Sequence, residues 1–200
     1  MSTMVPPASR GRRRFLSATT SVVGAAGAVA AAWPFISYWQ PSEGARAAGA
    51  PIAIDVSKVE PGQQVTAPWQ RKPVWILHRT PEMLERLSEI AGSLRDPRSE
   101  VRTQQPDYAR NLYRSIRPEY LVVIGLCTHL GCVPTFRPEL APADLGPAWP
   151  GGYFCPCHGS KFDLAGRVYK SVPAPTNLVV PPHRYLDERT VEIGTDTSPA

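Results

Sequence analysis

A chain of 200 residues can bury one sizeable domain and carry an appendage, but it cannot build two large domains. Its 23 prolines argue against an architecture of long packed helices and for loops and strand edges. The net charge of +5 does not mark a nucleic-acid binder: Arg10, Arg12, Arg13 and Arg14 crowd residues 1–14 without an acid, while the rest is nearly neutral and has no basic patch interleaved with aromatics.

The chain opens on this basic segment, 1–14, and then runs "SATTSVVGAAGAVAAAWPFISYWQPS" with no charge between Arg14 and Glu43. Residues 15–40 are long enough to cross a hydrocarbon core of ~30 Å as a helix. Trp33, Tyr38 and Trp39 gather at its far end as interfacial anchors, and the arginines before it place the N-terminus in the cytoplasm. A cleaved secretory signal shares these features, and "ARAAGA" (45–50) could supply a cleavage site. The length of the run and its bulky end favour a retained anchor. The sequence "RRRFL" (12–16) resembles a twin-arginine export signal, a route for chains that are already folded.

Residues 41–51, "PSEGARAAGAP", read as a flexible tether. From residue 52 to 200 the signals are mostly β. Ile52, Ile54 and Val56 alternate, 74–77 form an apolar strand, and 120–125 form a buried strand. Between them, "TPEMLERLSEIAGSL" is a helix, with Thr80 as N-cap, Pro81 in its first turn, and Leu84, Leu87 and Ile90 on one face. The polar stretch 95–120 reads as a surface excursion. Short strands are expected around Tyr153, 167–169, 178–180 and 190–193. His78 and His183 stand alone and read as structural or surface histidines. The fold class is therefore mainly β, with one N-terminal membrane helix and one short helix in an insertion.

All four cysteines fall in two motifs, "CTHLGC" (127–132) and "CPCHGS" (155–160), each with one histidine. Zinc is the usual partner of Cys/His clusters, but six candidates exceed the four ligands of one tetrahedral ion. Two disulfides without a metal suit an exported chain but leave His129 and His158 idle. A two-iron, two-sulfide cluster taking one cysteine and one histidine from each loop gives the repeated pairing a reason.

The two motifs together resemble the Rieske iron–sulfur proteins. With the anchor, the tether and "VPAPTNL" (172–178), the resemblance extends to the Rieske subunits of ubiquinol–cytochrome c reductase over most of the chain. It implies Rieske-type small antiparallel sheets with a cluster-binding subdomain at about 120–176. It implies one [2Fe-2S] cluster, with Cys127 and Cys155 as thiolate ligands and His129 and His158 as imidazole ligands. It also implies a Cys132–Cys157 disulfide and a third loop at Pro173 and Pro175. Gly131, Gly159 and Ser160 would donate hydrogen bonds to the sulfurs, Leu130 would be a docking tip, and His158 would face the quinol. The implied function is electron transfer from ubiquinol, bound in cytochrome b, to a c-type cytochrome. The setting would be a dimeric complex of a bacterial inner membrane, with the C-terminal domain in the periplasm and no role for nucleic acid. A small Rieske subunit of an arsenite oxidase is a second possibility within the resemblance. The anchor, the helix and "VPAPTNL" favour the quinol type.

Imidazole in place of thiolate lowers the negative charge on a cluster and makes reduction easier. The free ring nitrogen of each such histidine couples the electron to a proton. Two features depart from the pattern. The stretch 133–154 is long and proline-rich, read as a surface loop. Phe162 stands where many relatives have a tyrosine that bonds a ligand sulfur, which implies a lower potential here.

Overall fold

The computed structural model describes residues 9–195. The first eight residues of the basic segment 1–14 and the last five of 52–200 lie outside it. The chain forms two units, 1–47 and 48–200.

In the first unit, α1 (Arg10–Tyr38) begins where Ser9 caps it, its hydroxyl accepting the Arg12 N–H. The helix therefore includes the arginines and is longer than the apolar run by itself. At 29 residues it is ~43 Å long, and it is apolar enough to cross a membrane, with none of its residues buried. A short helix, α2 (Glu43–Ala48), occupies most of the segment read as a tether. Its first turn is held by the Ser42 hydroxyl, which accepts the Ala45 N–H.

The second unit contains three small antiparallel sheets. One orders β1 (Ile52–Asp55), β9 (Thr190–Ile193) and β8 (His183–Tyr185). The next orders β2 (Gln64–Trp69), β3 (Lys72–His78) and β4 (Tyr120–Ile124). The third orders β5 (Thr135–Arg137), β6 (Gly152–Cys155) and β7 (Ser160–Phe162). The middle sheet separates two cores. Val74, Ile76, Val122 and Ile124 face Val56, Val191 and Ile193 on one side. Trp75, Leu77, Leu121 and Val123 face the other, with Tyr153, Phe162 and the site cysteines. Alternate residues of a strand point to opposite faces, so a sheet buried on both sides reads as an unbroken apolar run. That is why 74–77 and 120–124 were visible in the sequence.

Helix α3 (Pro81–Glu89) follows its cap as expected, with Thr80 Oγ1 accepting the Met83 N–H and Met83 and Leu87 buried. Four strands escaped the pattern: β2, β5, β7 and β8. In β2 the hairpin turn is Gln70–Arg71, both with positive φ and neither a glycine, and Pro68 lies opposite Pro73. Turn chemistry and strand propensity both pointed away from a hairpin there. Conversely, 178–180 is not a strand. Its backbone is bonded singly, with Leu178 N–H to Gly166 and Val180 N–H to Gln104.

The stretch 95–120 is irregular but is not a surface excursion. Ser99, Gln105, Ala109, Arg114 and Ser115 are buried. Polar composition hid this, because buried polar side chains anchor the segment through hydrogen bonds, alongside Ala109, Tyr108, Leu112 and Tyr113 packed on the core. In the long stretch 133–154, Trp149 is buried and donates Nε1–H to the Arg137 carbonyl. Arg137 also pairs with Glu139 and Asp144, so this loop is pinned at its centre.

Candidate metal centre at the two cysteine loops

β4 delivers the chain to the first loop through Gly125, where any Cβ would run into the Trp75 indole. Glycine is obligatory there for packing reasons. The loop closes on itself, with Cys127 N–H bonded to the Cys132 carbonyl at 2.7 Å and Gly131 N–H to the Cys127 carbonyl at 2.9 Å. The second loop, between β6 and β7, repeats the closure with Gly159 N–H to the Cys155 carbonyl at 2.9 Å. Gly131 and Gly159 take φ values of +80° and +74°, in the left-handed region where a side chain is strained.

These matched turns bring the four sulfurs to one end of the domain. Cys132 and Cys157 form a disulfide across the two loops, 25 residues apart in sequence. The Cys155 sulfur lies within 4.8 Å of both. Because a disulfide has no thiolate to give, the thiols that remain are Cys127 and Cys155, both buried. Burial pushes the Cys155 thiol above its ordinary pKa, and the neighbouring Cys127 thiol raises it further. The amides of Cys157 and His158 work in the opposite sense, donating to the sulfur and favouring its anion. On the same two loops, the rings of His129 and His158 meet edge to face, 4.7 Å between centroids. His129 is half-buried and His158 exposed. Leu130, next to His129 in the first loop, is 71% exposed.

A third loop covers the pair. Ala174 N–H donates to Ser160 Oγ at 3.0 Å, and Thr128 Oγ1 donates to the Thr176 carbonyl at 2.7 Å. Ser160 is buried and here acts as an acceptor, so its own proton remains available to a partner. Pro173 and Pro175 are exposed on either side of buried Ala174. Phe162 is fully buried opposite Tyr153 on β6 and carries no hydroxyl to donate.

Two free thiols, two imidazoles and converging amide donors fit a metal centre with mixed sulfur and nitrogen ligands. The sequence motifs contain the thiols and the imidazoles, but the amides expected to reach sulfur, those of Gly131 and Gly159, bond to carbonyls instead, and those on Cys155 belong to Cys157 and His158. The motifs did not locate Thr128, nor Asn177, which accepts the Val168 N–H and donates to the Asp96 carbonyl. They also missed three buried arginines, Arg79, Arg114 and Arg167. An isolated threonine, asparagine or arginine carries no spacing signal, and only the tertiary fold shows its use.

The chain matches two family models. One is the Rieske [2Fe-2S] domain, over residues 91–182, and the other is the TAT signal of the ubiquinol–cytochrome c reductase Fe–S subunit, over residues 7–42. Three relatives are named ubiquinol-cytochrome c reductase iron-sulfur subunit. That of Allochromatium vinosum is 60% identical, covering 94% of this chain and 91% of its own. That of Blastochloris viridis is 47% identical, covering 92% of each. The Bradyrhizobium diazoefficiens relative is 41% identical, covering 92% and 94%.

Proposed function

The chain belongs to the family of Rieske iron–sulfur subunits of ubiquinol–cytochrome c reductase, and on that premise we propose a role for each group at its cysteine loops. It is the [2Fe-2S]-carrying electron-transfer subunit of a bacterial, membrane-anchored oxidoreductase. Cys127 and Cys155 hold one iron as thiolates, and His129 and His158 hold the other. The observation that carries this assignment is the division of labour among the cysteines. The disulfide removes Cys132 and Cys157, leaving two buried thiols and, on the same two loops, two imidazoles in contact with each other.

When bound, the cluster supplies a one-electron couple. The protein supplies the rest. The outer ring nitrogen of His158, the more exposed imidazole, takes the proton that accompanies the electron. Leu130 docks the tip against cytochrome b and displaces water there. Ser160 Oγ–H and the amides of Cys157 and His158 donate to sulfur, favouring the more negative reduced state. The disulfide and the Pro173–Pro175 loop keep the three segments together and shield them from solvent.

The wider setting follows from the same reading. Ubiquinol is the donor and a c-type cytochrome the acceptor, within a dimeric complex. The anchor spans the inner membrane once at 15–40, and the domain 52–200, with its cluster-binding subdomain at about 120–176, lies in the periplasm. Residues 41–51 serve as the hinge. α2 has six residues, below the length at which a helix is stable alone, so this segment can wind and unwind at little cost.

Electron paramagnetic resonance of the dithionite-reduced complex tests the ligand set. The expected result is a reduced [2Fe-2S] signal that disappears in Cys155→Ser and His158→Ala. Stoichiometric zinc without iron in the purified chain would overturn it. Co-purification with b- and c-type haem tests the partners.

A further inference from the structure

We propose that Arg79, Arg114 and Arg167 are positioning residues that hold a fixed surplus of positive charge behind the second cysteine loop and raise the reduction potential of the site. This rests on the cluster assignment made above. All three are essentially excluded from solvent, as is Asp163, so among the fully buried charged side chains described, three guanidiniums face one carboxylate.

The three converge on one turn, Asp163–Arg167, which directly follows β7 and hence the second cysteine loop. Arg79, just past β3, donates to the Leu164 carbonyl at 3.2 Å, the Tyr113 carbonyl at 2.8 Å and Ser115 Oγ at 2.8 Å. Arg114, from the irregular stretch 95–120, donates to the carbonyls of Ala165, Gly166, Gln104 and Leu178 and to Gln105 Oε1. Arg167 pairs with Asp163 at 2.7 Å and donates to the carbonyls of Leu87 and Pro97. Every carbonyl from 164 to 166 is therefore taken by a guanidinium. Asp163 completes the turn by accepting the N–H groups of Ala165 and Arg167.

Neutral donors could have closed the same turn. Burying a guanidinium costs far more than burying an amide, and unpaired buried charges are rare. Here carbonyl dipoles solvate the charge without cancelling it. Burial pushes Arg79 and Arg114 down to about 10, which leaves both protonated at neutral pH. Half-buried Asp96 also faces Arg114 and offsets part of the surplus from the solvent side.

Leu164 and Ala165 of the turn share one apolar core with Tyr153, Phe162 and both free thiols. Tyr153 lies on β6 two residues before Cys155, on the same face of the strand, and stacks on Trp75 at 4.9 Å. Its hydroxyl is buried without a hydrogen-bond partner and lies in the field of Arg79 and Asp163. A field crossing packed aromatics is little screened by salt. One electron arriving at the site adds one negative charge, and a positive field stabilises that state.

The test is a redox titration of the whole detergent-solubilised complex, followed by electron paramagnetic resonance. Arg114→Gln should lower the midpoint, changing the reduced-to-oxidised ratio at fixed potential about three- to tenfold, or ~30–60 mV. Arg114→Lys should lose comparable thermal stability yet keep the wild-type midpoint. Asp163→Asn should move the midpoint the other way. Equal shifts in the Lys and Gln variants, or no shift in loaded Gln protein, would overturn the proposal. If Arg114→Gln does not assemble, the same pair of substitutions at Arg79, which makes fewer bonds, decides by the same criteria. Failure of the underlying assignment is read separately, as absence of the iron–sulfur signal from the wild type.

Discussion

Ser160 and Phe162 sit two residues apart on β7, and in the reading proposed above they tune the site by opposite means, one by donating a proton and the other by lacking one. The Ala174 N–H occupies a Ser160 lone pair and leaves the hydroxyl proton free to donate, which the proposed role directs at sulfur. A hydrogen bond to a charged acceptor is worth ~1.5–3 kcal/mol, of which only the difference between redox states counts. At ~59 mV per tenfold for one electron, Ser160→Ala should lower the midpoint by some tens of millivolts. Phe162→Tyr should raise it similarly, and voltammetry of the purified protein checks both signs. A second single-residue effect concerns stability. The His183 Nδ1 lies 2.9 Å from the Pro181 carbonyl, so that nitrogen carries the proton, and Nε2 is buried without a partner. Burial lowers the pKa of this histidine below its ordinary value of 6.5, against a smaller raising effect of the Pro181 carbonyl. The folded state then binds fewer protons than the unfolded one. This contribution to stability is complete above about pH 6.5 and is lost as pH falls through the lower folded value. Melting curves across this range should show a loss toward acid that His183→Gln flattens. The cysteine and histidine motifs were legible because their residues are neighbours in sequence. The arginines that surround Asp163 come from three distant segments, and nothing local distinguishes Arg114 from a solvated charge.

Among the elements, legibility followed burial. β3 and β4 lie in the doubly buried sheet and announced themselves as apolar runs, and α3 did so by its cap and its apolar face. β5, β7 and β8 have three residues each, too few to establish a period. The two cysteine loops, each shaped by its own glycine turn, are joined to one another by a covalent bond that closes a span of 25 residues. Such a closure is worth ~3–4 kcal/mol through the unfolded chain. In Cys157→Ser that energy is lost where the loops must exclude water. The variant should assemble iron but lose it faster, with a lowered midpoint, as followed by visible absorption over time. Wild-type retention would show that the third loop alone holds the site closed.

For the whole molecule, the decisive feature is the order of events at export. The TAT-signal match over residues 7–42 goes with transport of an already folded chain, so on the periplasmic placement proposed above the metal centre can be completed on the cytoplasmic side. Replacing Arg12 and Arg13 together by Lys should strand a folded, iron-loaded chain there. Cell fractionation would then find protease protection in spheroplasts, where the wild type is digested. Folding before export also means that copies with finished sheets gather at one membrane face. β2 is the free edge of its sheet, the kind of surface on which another chain can add a strand. Pro68 faces Pro73 across β2 and β3, and two prolines opposite each other can share no ladder bond. The backbone of Pro68 is therefore turned outward, toward the open edge, and there it has no N–H to offer. Crowded copies queuing for transport meet an edge that declines to polymerise.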